Sequence, residues 1–188
     1  MTPRLVNPSA QVPVRLVAYV VDCSILFGGV LLSQGAIAAL GLNPILGIIN
    51  SGQQLSGDQF HLWVFSAVSL PIWFYFALFE SSSWQATPGK RLLRLKVTDL
   101  DGGRIGLGRA LLRAIVLLIP FEVNHVVLFR ADFTGSAPSG LTLGGFALVW
   151  LLLAVYLATA LLNRRGQSIH DLVARTQVGS SSHASARQ

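Results

Sequence analysis

Four long apolar segments constrain the fold of this chain more than any other feature of its sequence. They cover residues 16–40, 62–79, 110–129 and 141–162. Nearly uncharged runs of about 18 or more residues are typical of helices that cross a bilayer. The third segment is the least regular because it includes charged residues and a proline, namely Arg113, Pro120, Glu122 and His125. The sequence therefore predicts an all-α membrane protein with four transmembrane helices.

Composition supports a membrane location and argues against nucleic-acid binding. Of the 188 residues, 52% are hydrophobic and 12% are charged, whereas soluble domains carry about 25% charged residues. The net charge of +6 is distributed between the apolar segments. Basic flanks of membrane helices account for this distribution better than a nucleic-acid-binding surface. The single cysteine, Cys23, has no partner for a disulfide within the chain.

The basic residues predict the orientation of the chain in the membrane. If the N-terminus is cytoplasmic and all four segments cross, every one of the 14 Lys and Arg residues except Arg130 lies on the cytoplasmic side. Such an excess is typical of cytoplasmic connections. Both termini are therefore predicted to be cytoplasmic, with residues 41–61 and 130–140 outside and the first of these loops partly helical. Residues 1–178 are predicted to form the membrane domain and residues 179–188 a disordered tail.

The connection between the second and third segments has a different pattern from its surroundings. Residues 93–97 alternate apolar and basic side chains, which is the period of a half-buried strand, and residues 99–103 have the composition of a turn. A lone strand leaves its backbone groups unpaired. We therefore expect Leu92–Thr98 to pair with Arg175–Val178.

The same connection is rich in basic side chains. A basic surface there would suit anionic lipid headgroups at the inner leaflet or a partner protein. The candidate docking residues are Lys90, Arg91, Arg94, Lys96 and Arg109.

Asp22 is the main functional candidate within the apolar segments. It lies about 10 Å beyond Arg15 along a helix, and so about a third of the way into a hydrocarbon core of about 30 Å. A carboxylate there costs on the order of 3 kcal/mol and needs a partner, a water path or a proton. Two interpretations remain open: Asp22 binds a proton or a cation, or it forms a structural ion pair with a basic residue such as Arg113.

Other candidates also have two interpretations each. Arg15 either sets the topology by reaching to the interface or pairs with a carboxylate. Asp171 lies in the helix-capping pattern Ser168-x-x-Asp171, and it would also approach Arg15 if a short helix folded back beneath the bundle. Glu122 and His125 share one helix face. They either form a proton relay or face the water outside.

Catalytic and metal-binding patterns are incomplete in this sequence. The Gly89-Lys90 pair lacks the other residues of a phosphate loop, and Asp99-x-Asp101-Gly102 lacks the remaining ligands of a calcium loop. His170 next to Asp171 is a secondary candidate, but the other histidines do not complete a ligand set for it. We therefore expect no enzyme activity, no metal site and no cofactor.

Several of these features together resemble the RDD family of bacterial integral membrane proteins. In chain order they are Arg15 at the first apolar segment, Asp22 within it, TPGKRLL at residues 87–93, the Asp101-Gly102 turn and His170-Asp171 after the last segment. The resemblance covers residues 12–178 and matches Arg15, Asp22 and Asp171 to the arginine and two aspartates that name the family. Arg94 departs from it, because relatives often have glycine there. The resemblance implies a bacterial plasma-membrane protein, and cation/proton antiport has been suggested for some relatives.

Two functional hypotheses follow. In the first, the chain is a transport-related protein that moves a monovalent cation against protons, with Asp22 titrating and with Arg15 and Asp171 setting its charge balance. Four spans make a thin pathway, so this hypothesis favours a homo-oligomer. In the alternative, the chain is a non-transporting scaffold or regulatory module that binds a partner protein or anionic lipid through its basic inner loop.

Overall fold

Four long helices form the body of the chain in the computed structural model, which describes residues 12–52, 56–131 and 139–180. They are α1 (Val12–Ala39), α3 (Gly57–Ser81), α5 (Leu107–Arg130) and α6 (Gly140–Leu162), and each is long and apolar enough to cross a membrane. Every one begins before the start of its predicted segment and includes most of that segment. The four predicted apolar helices are thus confirmed. A short helix, α2 (Pro44–Asn50), lies in the first loop, which was predicted to be partly helical.

A small substructure closes one end of the bundle, which we call the loop end. It consists of α4 (Pro88–Leu92), β1 (Leu95–Asp99), α7 (Ile169–Ala174) and β2 (Thr176–Ser180). The loop end also holds the beginnings of α1 and α5 and the ends of α3 and α6. Its placement in the cytoplasm stays a prediction from the basic residues.

The two strands confirm the predicted pairing between the inner loop and the C-terminal segment. They are antiparallel, with Val97 opposite Val178. β1 begins at Leu95 rather than at Leu92, because α4 occupies the residues before it. β2 extends through Gly179 and Ser180, which the sequence analysis had assigned to the tail. Residues 181–188 of that predicted tail lie outside the described residues.

Small side chains bring the helices close together beneath this sheet. Ala18 of α1, Ala77 of α3 and Ala110 of α5 have no exposed surface. They form one apolar cluster with the strand residues Val97 and Val178. Small residues allow such close approach of helices where no hydrophobic driving force from water acts between them. The inner loop is therefore packed against the bundle.

Arg94 joins α4 to β1 in a left-handed backbone conformation. Its φ is 55° and its side chain is exposed. Glycine adopts this conformation without the steric cost that a Cβ adds. Glycine at this position would therefore remove the steric cost that the backbone angle of Arg94 carries.

Two prolines interrupt the regular helices. The turn Phe65–Ser69 in α3 is π-helical, and it lies just before Pro71, whose ring and missing N–H disfavour a regular turn. In α5, Pro120 leaves the carbonyl of Val116 without a helical donor. The hydroxyl of Tyr156 in α6 donates to that carbonyl at 2.6 Å. A neighbouring helix therefore supplies the hydrogen bond that Pro120 removes.

Candidate functional site

Asp22 is completely buried and accepts three hydrogen bonds from other elements. The Tyr75 hydroxyl and the Gly89 N–H each donate to Oδ1 at 2.8 Å, and the Thr87 hydroxyl donates to Oδ2. We call these four residues the Asp22 anchor. It ties α1 to α3 and to the first turn of α4.

The local sequence of α4 explains why the anchor forms. Thr87 is the N-cap of α4 and its hydroxyl accepts a hydrogen bond from the N–H of Lys90. The N–H groups of a first helical turn have no partner within the helix, and Asp22 accepts one of them from Gly89. A Cβ at Gly89 would lie 2.3 Å from the carbonyl oxygen of Ala18. Only glycine fits between α1 and α4 at this point.

This geometry corrects the predicted cluster of Arg15, Asp22 and Asp171. Among the described residues, no ion pair joins Asp22 to Arg15 or to Arg113, because hydroxyl and amide donors occupy its carboxylate. Arg15 and Asp171 do meet, with Nη1 and Oδ2 3.5 Å apart. The third member of their cluster is Arg113.

Arg113 is the centre of a buried ion-pair network. Its guanidinium binds both oxygens of Glu80 through Nη1, at 2.7 and 2.6 Å, and Oδ1 of Asp171 through Nε and Nη2, at 3.0 and 2.9 Å. Lys90 pairs with Glu80, and Arg15 pairs with Asp171. We call these five residues the Arg113 network. It joins α1, α3, α4, α5 and α7.

Arg15 and Asp171 also bind the backbone around them. Arg15 donates to the carbonyl of Gly166, and at 2.7 Å to that of Val178. Asp171 accepts the N–H of Ser168 at 3.3 Å. The predicted cap of α7 therefore coexists with the predicted contact to Arg15, since α7 folds back beneath the bundle.

At the loop end, the negative and positive charges inside the protein are equal in number. The buried carboxylates Asp22, Glu80 and Asp171 match the cations Arg15, Lys90 and Arg113 in number. Burial alone would raise the pKa of Asp171, but the charges of Arg113 and Arg15 hold that pKa below its usual range.

Lys90 within this network and His170 beside it have lowered pKa values. Burial lowers the pKa of Lys90, and its ion pair with Glu80 opposes that change. Burial also lowers the pKa of His170 to about 4. His170 is therefore neutral at pH 7.

Sequence reasoning missed Glu80 and did not indicate that Lys90 is buried. Glu80 directly follows the uncharged second segment. A charged residue at the end of an apolar helix is usually exposed, so the sequence did not indicate its burial. Lys90, predicted to be a docking residue, has a side chain only 7% exposed and pairs with Glu80. Arg113, considered from the sequence as a partner for Asp22, is 1% exposed, because Glu80 and Asp171 surround it, whereas Arg109 remains exposed.

The other predicted docking residues lie at the surface of the loop end. Arg91, Arg94 and Arg109 are exposed, and Lys96 is half-buried. The guanidinium of Arg91 lies 3.9 Å from the centre of the Trp84 ring. Such stacking places a cation beside an exposed aromatic ring.

A second carboxylate group lies closer to the opposite end of the bundle. Oε2 of Glu122 is 3.7 Å from Nδ1 of His125 and 4.0 Å from Nε2 of His61, and the Ser69 hydroxyl also faces Glu122. We call these four residues the Glu122 group. Glu122 and His125 were candidates from the sequence. His61 and Ser69 were missed, since only the packing of α3 on α5 brings them close.

The Glu122 group borders a cavity of about 600 Å³ between α1, α3 and α5. Ser69, Glu122 and His125 contribute to its wall, which is otherwise mainly apolar and includes Cys23. A smaller cavity of about 210 Å³ lies beside Arg15, Arg113 and His170. Within the described part of the chain, no group of three or more His, Cys, Asp or Glu side chains is arranged to hold a metal ion.

Comparison with known proteins gives one match. The model of the RDD family matches residues 9–175, which include both ends of the Arg113 network and the whole Asp22 anchor. No curated protein matches the chain, and no solved structure matches it.

Proposed function

The chain belongs to the RDD family, and we propose that it is a transport-related protein of the bacterial plasma membrane that exchanges a monovalent cation for protons. One observation carries this proposal. The Glu122 carboxylate lies on the wall of a cavity of about 600 Å³ within helices long enough to span a membrane. Ionisable groups in that position are typical of ion and proton pathways. One carboxylate that binds either a proton or a cation is sufficient for exchange.

The contacts favour Glu122 over Asp22 as the titrating group of this proposal. Asp22 has no exposed surface, accepts three hydrogen bonds and lines neither cavity. The side chain of Glu122 is 21% exposed and has two imidazoles nearby. We therefore assign Asp22, together with Arg15 and Asp171, to holding the loop end on the bundle.

Reconstituted liposomes test the proposal. We expect the wild-type protein to change the internal pH when a gradient of a monovalent cation is imposed, and Na⁺, Li⁺, K⁺ and tetraethylammonium are compared. Glu122→Gln removes the titrating carboxylate, so its flux should fall to the level of protein-free liposomes while its thermal unfolding midpoint stays close to that of the wild type.

Asp58→Asn is the matched control, because Asp58 is an exposed carboxylate on α3 that pairs with Arg130 at the opposite end. It should retain the wild-type flux. Absence of flux with every ion would overturn the proposed function. Full flux in Glu122→Gln would show that exchange does not use this carboxylate.

A second candidate function is suggested by the exposed basic side chains of the loop end. The exposed arginines there include Arg91, Arg94, Arg104, Arg109, Arg164, Arg165 and Arg175. A surface of this kind binds anionic headgroups at the inner leaflet with about 1 kcal/mol per basic residue. The chain would then serve as a module anchored to anionic lipid, with or without transport.

Lipid-dependent stability tests this second function. We expect phosphatidylglycerol to raise the thermal unfolding midpoint of the protein in nanodiscs, relative to phosphatidylcholine. The increase should be much smaller for the triple variant Arg91→Gln, Arg94→Gln, Arg109→Gln. Arg130→Gln, at the opposite end, should retain the full increase. Equal increases in all three proteins would rule out a docking role for the loop end.

A further inference from the structure

The cavity beside Glu122 has walls of an unusual kind for a site that takes an inorganic ion. Its lining is mainly apolar and includes the aromatic rings of Tyr19, Phe27, Phe76 and Phe121. Glu122 is the one carboxylate among the described residues that line it. Its volume of about 600 Å³ falls in the range of about 300–1,000 Å³ that is usual for pockets that hold small organic molecules.

We propose that this cavity binds an amphipathic organic cation, that is, a monovalent ammonium or phosphonium ion with aromatic or alkyl substituents. This inference rests on the proposed function and names the class of its substrate. A small inorganic ion loses most of its hydration on entry and needs several oxygen ligands in return. The apolar wall offers few of them.

A large organic cation can interact favourably with the apolar, the aromatic and the acidic side chains of this wall. Its substituents bury apolar surface against the helices, and aromatic faces attract its charge. The carboxylate of Glu122 neutralises that charge inside the bundle. His61 lies beside this carboxylate, with its Nε2 4.0 Å from Oε2 of Glu122.

The position of the cavity agrees with a ligand that arrives from the membrane. The lining residues belong to the middle turns of α1, α3 and α5, from Tyr19 to Val30 on α1. Exposed apolar side chains, including Phe27 and Leu31, surround its α1 wall. A lipophilic cation partitions into this region of a bilayer, whereas a hydrated inorganic ion does not.

Direct binding to the purified full-length protein in detergent tests the inference without any transport step. The probe is radiolabelled tetraphenylphosphonium, and tetraphenylborate serves as an anion of matched size and shape. We expect saturable binding of the cation and none of the anion. Glu122→Gln should weaken binding of the cation about tenfold or more, since it removes the opposite charge from an apolar site.

Cys23 provides a second readout, because this single cysteine lies on the cavity wall. Tetraphenylphosphonium should slow its alkylation by a maleimide. In a Cys23→Ser background, Leu141→Cys on α6 is the matched control, since Leu141 is 88% exposed and lies outside the cavity. Its alkylation should be unaffected.

A cavity-filling variant keeps the test valid if Glu122→Gln does not fold. Val30→Phe adds a ring to the wall without changing the carboxylate, and it should also weaken binding. Equal binding of the borate, as expected if the cavity only holds lipid chains, would overturn the inference. Unaltered binding in both variants would also overturn it. Binding of the cation without flux in liposomes would reject the proposed exchange alone, whereas inorganic cation flux without such binding would reject this inference alone.

Discussion

Replacing Arg113 by leucine is expected to lower the free energy of unfolding more than any other single change at the loop end. Arg113 makes four hydrogen bonds to two carboxylates that have no exposed surface. Removal of one partner of a buried ion pair costs about 3–5 kcal/mol, because the remaining charges stay buried with less compensation. The midpoint of thermal unfolding in detergent, followed by tryptophan fluorescence, measures the loss.

Arg109→Leu is the matched control for this change, since Arg109 lies one turn earlier on α5 and is exposed. Its effect should stay within about 0.5 kcal/mol. Arg113→Lys retains the charge, but an ammonium group lacks the separate guanidinium nitrogens that bind Glu80 and Asp171. Its midpoint should therefore fall between those of the wild type and the leucine variant. A leucine variant as stable as the Arg109 control would show that the network contributes little to stability.

Gly89→Ala is expected to separate α4 from α1 and to release the Asp22 anchor. The added Cβ would lie 2.3 Å from the Ala18 carbonyl oxygen and 2.9 Å from Oδ1 of Asp22. The first of these atoms belongs to the backbone of a helix and moves only with it. Overpacking of this kind costs about 1–3 kcal/mol, and the lost hydrogen bonds of Asp22 add to that cost. The thermal unfolding midpoint should fall accordingly.

Protease sensitivity of the inner loop gives a second measure of the same change. Cleavage by trypsin at the exposed Arg91 and Arg94 should become faster in Gly89→Ala, because α4 is no longer held on α1. Gly108→Ala is the matched control: a Cβ there meets nothing within 4 Å. Wild-type stability and cleavage in Gly89→Ala would contradict the close packing on which the Asp22 anchor depends.

Much of the fold was predictable, because the lengths of apolar runs and the alternation of side chains are local features of the sequence. Long uncharged apolar runs predict spanning helices, and the alternation in residues 93–97 predicted a strand that needed a partner. Strand pairing was also predictable, since few other segments had unpaired backbone. The start of β1 was less well predicted, because the pattern Thr87-Pro88 begins a helix that shortens the strand.

The candidate site was predicted only in part. A contact between Arg15 and Asp171 was one of the interpretations left open, and the two side chains lie 3.5 Å apart. Asp22 was expected to join them, yet its partners are hydroxyl and amide groups from α3 and α4. A sequence indicates that a buried carboxylate needs donors, but it does not indicate which donors the packing supplies.

The sequence by itself determined that this chain crosses a membrane and carries buried charge near one end, because hydrophobicity and its interruption are properties of single segments. Only the tertiary structure decided how the charges are divided. In the folded chain, Arg113 pairs with Glu80 and Asp171. Asp22 accepts a hydrogen bond from the first turn of α4, and Glu122 lies on a cavity wall. The reason is physical: an ion pair depends on distances between side chains on different helices, and those distances follow from the packing of small residues such as Ala18, Ala77 and Gly89.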